Sequence, residues 1–128
     1  MKATIIEEIL LNYLTQQLQI EVFMEMPDND TLKDIQDGAF VVLDKTGGIV
    51  DNHIATATFA IQSYAASLNE AAWLNEAVKT AMDHLISLPV VTRSEYETDY
   101  NYTDSRTKMY RYQCVYDITY YRDEVYRK

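Results

Sequence analysis

The sequence predicts an α+β fold: a mainly antiparallel sheet of about five strands with two helices packed on one face, in the order α-β-β-β-α-β-β. Three observations carry this. Ile5, Ile6, Ile9, Leu10, Tyr13, Leu14 and Leu18 recur at helical spacing, and a second helical stripe follows Ser67. Between them, Ala55, Ala57, Phe59 and Ile61 alternate with Thr56, Thr58, Gln62 and Tyr64. Nine of the eleven tyrosines lie between Tyr96 and Tyr126, most of them on a two-residue beat. Side chains on a strand point alternately to opposite faces, so such beats mark strands with one apolar and one polar face.

In chain order, the first helix is expected from about Ala3 to Gln17. A short strand follows over Ile20–Met26, which Pro27 ends. Residues 27–38 read as a polar, acidic loop. Ala39 to Leu43 is continuously apolar, the mark of a buried strand, and Asp44-Lys45-Thr46-Gly47-Gly48 reads as a glycine turn. The alternating run from His53 to Tyr64 is the third strand, its small alanines suggesting a helix packed closely over them. Ser67-Leu68-Asn69-Glu70 is a capping box opening the second helix, with the stripe Ala71, Leu74, Val78, Ala81, Leu85 and Leu88. Pro89 stops it. A hairpin closes the domain. Tyr96, Thr98, Tyr100 and Tyr102 oppose Glu95, Glu97, Asp99 and Asn101 in its first strand. Tyr110, Tyr112, Cys114, Tyr116, Ile118 and Tyr120 share one face of the second, and residues 103–108 supply the turn.

The 128 residues suit a single domain spanning 1–128, with no linker and no internal repeat. The formal net charge of −9 argues against gripping nucleic acid, which needs clustered Lys and Arg, but fits a surface past which DNA slides. Cys114, the only cysteine, excludes an internal disulfide and reads as a small core residue. No run is long enough for a membrane span, and the acidic Glu7-Glu8 stands where a signal peptide would turn apolar, so a protein retained inside the producing cell is expected.

No catalytic constellation emerges, and the reading is non-enzymatic, without cofactor or metal. Lys45-Thr46-Gly47 and Ser105-Arg106-Thr107-Lys108 match elements of penicillin-recognising enzymes, but in reversed order and outside a helix. His53 and His84 lack partners at ligand spacing. Asp28, Asp30, Asp34 and Asp37 lack the glycine and bidentate Glu of a calcium loop.

Phe40-Val-Val-Leu-Asp-Lys-Thr-Gly-Gly48, Asn52–Tyr64, the Ser67–Leu88 helix and the closing hairpin Asp99–Asp104 … Tyr110–Gln113 resemble the tail-terminator or tail-completion proteins of long-tailed bacteriophages, which belong to the head–tail joining group. The resemblance implies a virion protein forming a ring, usually of six copies, that caps the head-proximal end of the tail tube. Its partners would be other copies of itself, the tail tube protein and a head–tail connector or head completion protein, with DNA passing through unrecognised. It would assemble in the host cytoplasm and reside in the virion tail. The alternative from the residues themselves is a soluble, dimeric bacterial module that binds a peptide or apolar ligand.

Two sets of residues are candidates for such assembly. Asp28, Asp30, Asp34 and Asp37 are expected on a loop lining the ring's lumen or an end face. Tyr96, Tyr100, Tyr121 and Tyr126 are expected at the subunit contact, because tyrosine offers a large stiff area with a polar tip.

Overall fold

The computed structural model describes residues 4–35, 38–106 and 109–125. The elements run α1 (Ile6–Leu18), β1 (Glu21–Phe23), α2 (Asn29–Asp34), β2 (Phe40–Asp51), β3 (Ile54–Ala65), α3 (Leu68–Asp83), a 3-10 turn (Leu85–Ser87), β4 (Val91–Asn101), β5 (Tyr110–Tyr121) and α4 (Arg122–Val125). The strands form one sheet in the spatial order β1-β2-β3-β5-β4, antiparallel except for the short parallel pair β1 and β2. This is the expected α+β architecture, with two short helices added.

One face of the sheet carries the main core. Ile6, Leu10, Tyr13 and Leu14 of α1 and Val78, Ala81 and Met82 of α3 pack with Val41, Leu43, Phe59, Ile61, Cys114, Tyr116, Ile118 and Tyr120. Ala55 and Ala57 are also fully buried in it, as their small size predicts. Tyr13 fastens the two helices together, its hydroxyl donating to the Ala81 carbonyl at 2.7 Å. Each buried Leu or Ile in this set contributes about 1.5–3 kcal/mol by leaving water.

The helix termini follow their caps. Ser67 Oγ accepts from the Glu70 N–H, opening α3 as the capping box implies. α3 ends sooner than Pro89: the chain tightens into the 3-10 turn after His84, which still carries Leu85 into the core. Asp28 caps α2 by accepting from Thr31 N–H at 2.8 Å. Residues 29–34 are therefore helical, where a loop was expected from their acidity.

Two further expectations are corrected. Gly47 and Gly48 lie within β2, not in a turn; the reversal is the two-residue link Asn52-His53, with Asn52 at a φ of 62°. The register slips at Thr46 instead. Gly48 is small for a different reason: a Cβ there would lie 3.1 Å from the Thr56 carbonyl oxygen.

The second correction concerns β4. Tyr96 pairs with Tyr116, but Thr98 pairs with Val115 and Asp99 with Cys114, so Glu97 is an extra residue. One extra residue exchanges the two faces of everything beyond it. Tyr96 therefore lies on the helix face with Tyr116, while Asp99 turns under α3 and Tyr100 turns outward. The single aromatic face expected for this strand is split.

Candidate assembly surfaces

Both edges of the sheet are open along most of their length. Among the described residues β1 covers β2 only at Phe40, Val41 and Val42, and Asp44 to Asp51 have no neighbouring strand on that side. Ile49 and Val50 on this stretch are 72% and 60% exposed. An uncovered strand with exposed β-branched residues is a template for pairing with another chain. β4 forms the other edge, charged by Arg93, Glu95 and Glu97 and kinked by bulges at Thr92 and Glu97.

Tyr96, Tyr100 and Tyr121 are 47%, 41% and 44% exposed. They do not form one patch. Tyr96 leans edge-on against Tyr116 on the helix face and donates to Asp99. Tyr100 accepts from Gln113 on the outer face. Tyr121 lies at the other end of β5, opposite Ile54 and beside an open groove with His53, Val90 and Asp123. Tyr126 falls outside the described residues. Of the acidic set, Asp28 caps α2, Asp30 and Asp34 sit on it, and all three are solvent-exposed; Asp37 is outside the described residues.

The most organised polar group is one that strand alternation alone would not locate. Beneath α3, the Asp99 carboxylate accepts from Asn75 Nδ2 at 2.8 Å, from Lys79 Nζ at 3.2 Å and from the Tyr96 hydroxyl. Lys79 also donates to Glu76 at 2.8 Å. Burial alone would raise the Asp99 carboxyl; the donors Tyr96, Lys79 and Asn75 outweigh it and hold it below the usual carboxylate range. Lys79 is held above the ordinary lysine range, first by its bond to Glu76 and then by Asp99. Nearby, burial pushes the Cys114 thiol up to about 12.

The outer sheet face is a ladder of polar cross-strand pairs. Thr56 meets Thr119 at 3.2 Å, Thr58 donates to Asp117 at 2.6 Å and Gln62 donates to Gln113 at 3.0 Å. Glu95, Glu97 and Asp117 bring carboxylate oxygens within 4.8 Å of one another. Asp117, then burial and Glu95, push the Glu97 carboxyl up. Thr58 and Arg93 already engage two of the three carboxylates.

At the distal end of this face α2 covers a small second core. Phe40 stacks on Tyr64 with centroids 4.6 Å apart, and Leu32 and Ile35 pack against them. Arg111 lies over the Tyr102 ring at 4.3 Å and donates to the Tyr64 hydroxyl. An open groove of about 1010 Å³ runs between α1 and α2, lined by Asn12, Gln16, Gln19 and Asp34 and equally by apolar groups such as Ile20, Phe23 and Ile35.

His53 pairs with Asp123 at the exposed link between β2 and β3, and His84 Nδ1 contacts the Thr80 carbonyl. Neither stands beside a nucleophile or a metal-ligand set among the described residues. No protein-family model and no curated protein sequence matches this chain. Among the described residues no nucleophile, base and acid converge in a cleft.

Proposed function

We propose that this chain is a non-enzymatic structural subunit that builds a ring with copies of itself, as a phage tail terminator or neighbouring head–tail joining protein. The observation that carries the reading is the pair of open edges on one sheet. β2 and β3, β3 and β5, and β5 and β4 are each antiparallel, so the two edge strands run in opposite directions. A copy rotated about a single axis then lays its β2 antiparallel beside the neighbour's β4. A head-to-tail contact of that kind closes into a ring when the rotation divides the circle.

Other features support it. The acids of α2 and the Glu95, Glu97 and Asp117 group present negative charge, which keeps a passing DNA backbone from sticking. In this reading the head-proximal end of the tail tube supplies one partner and the head connector the other.

The deciding experiment is absolute mass by light scattering across protein concentration and salt, alone and with isolated tail tubes. A shift from monomer to closed ring that salt strengthens by screening like charge is the expected result. Val50→Asp, on the uncovered stretch of β2, should raise the concentration for half-assembly about tenfold or more with little change in melting temperature. A tight dimer at every concentration would replace this reading with the peptide-binding module. A monomer that also ignores tube ends would remove it.

A further inference from the structure

We propose that β4 is a two-register strand: the bulge at Glu97 selects one pairing with β5, and a one-residue slip that absorbs the bulge gives a second. In the second pairing Tyr100 and Tyr102 turn to the helix face and Asp99 turns outward.

The sequence and the structure disagree over the faces of β4, and the disagreement has a simple form. From Glu95 to Tyr102 the residues alternate without interruption, aromatic or Thr on one beat and acid or Asn on the other. That pattern suits an unbulged strand. Continuing the Tyr96–Tyr116 pairing without a bulge would set Glu97 opposite Val115, Thr98 opposite Cys114, Asp99 opposite Gln113 and Tyr100 opposite Tyr112. The observed partners beyond the bulge differ by one residue throughout. Every side chain from Thr98 onward therefore lies on the face its alternation does not predict.

Opposed costs hold the balance. The bulged register leaves Glu97 without a cross-strand partner and crowds it against Glu95 and Asp117. Beside Asp99, Asn75 Oδ1 is buried with no hydrogen-bond partner among the described residues. In return Asp99 gains Asn75, Lys79 and Tyr96. The slipped register would place Asp99 outward beside Glu97, Glu95 and Asp117, adding a fourth carboxylate to a face that already holds three. Asp99 is thus the residue that decides the register, through the donors it meets inside and the acids it avoids outside.

The consequence is an exchangeable surface. In the observed register the outer face shows Tyr100 and Tyr102, with Arg111 stacked on Tyr102. After the slip the same edge shows Glu97, Asp99 and Asn101. A partner that lies along β4 meets an aromatic edge in one state and an acidic edge in the other. This holds whether or not the chain closes into rings.

Cross-strand contacts between backbone protons, read by NMR on the full chain, report the register directly. Asp99→Asn removes the ion pair with Lys79 and the outward repulsion together, so it should raise the slipped population at least tenfold, with Thr98–Cys114 contacts replacing Thr98–Val115. Lys79→Gln should act in the same direction and serves if Asp99→Asn does not fold. Deleting Glu97 in the Asp99→Asn background removes the bulge residue itself and should restore the Thr98–Val115 pairing. Folded Asp99→Asn and Lys79→Gln proteins that keep Thr98 opposite Val115 would overturn the proposal. Loss of all β4–β5 contacts without a new set would overturn it equally, because fraying is not a slip.

Discussion

Asp99 shows how one residue ties local chemistry to stability. Its carboxyl sits below the usual range in the folded chain, so the folded state binds that proton less readily than the unfolded state. Its contribution is therefore complete above the ordinary aspartate pKa of about 3.9 and is lost as pH falls through the lower folded value. Asp99→Ala should cost about 1–3 kcal/mol at pH 7, since Asn75 and Lys79 lose their shared acceptor, and less at pH 3, below the ordinary aspartate value. Glu97 has the opposite sign. Its raised carboxyl is penalised when ionised, and the penalty vanishes once pH falls below the ordinary glutamate value. Glu97→Gln should therefore stabilise the chain at pH 7 and do nothing at pH 3. Urea titrations of both variants at the two pH values check both signs.

At the scale of elements, caps and alternation explain most of what forms. Ser67→Ala should destabilise the chain by about 1 kcal/mol by freeing the Glu70 N–H, while Ser67→Asp should be near neutral; equilibrium unfolding distinguishes them. The two long helices were legible because apolar spacing and capping point the same way at Ile6–Leu18 and Leu68–Asp83. β3 and β5 were legible because they are central strands whose inward residues are almost all apolar, Ser63 being the buried exception. α2 was hidden, since Leu32 and Ile35 give a one-turn helix too little apolar period to read beside its acids. The bulges at Thr46 and Glu97 were hidden for another reason. A bulge changes which residues face inward without changing composition, and only the cross-strand pairing reveals it. Of the candidate tyrosines, Tyr96, Tyr100 and Tyr121 are exposed, yet the division of Tyr96 and Tyr100 between faces depended on that unseen bulge.

For the whole molecule, the order β1-β2-β3-β5-β4 makes β5 the hinge of the architecture. β4 touches the rest of the sheet only through β5, and β3 has β5 as its second partner. A chain cut before Tyr110 should therefore fail to give a cooperative unfolding transition, even though both long helices remain. Circular dichroism with heating would test this; a sharp transition in the shortened chain would contradict it. The same topology governs synthesis. Residues 91–101 emerge before the strand they must pair with exists, and their alternating tyrosines wait exposed until residues 110–121 arrive. Pairing β3 with β5 then spans 45 to 67 residues of sequence, a separation that makes loop closure costly and slows folding. The nascent chain thus carries a tyrosine-rich segment without its partner strand until residues 110–121 arrive, and the net charge of −9 opposes association of neighbouring copies in that interval.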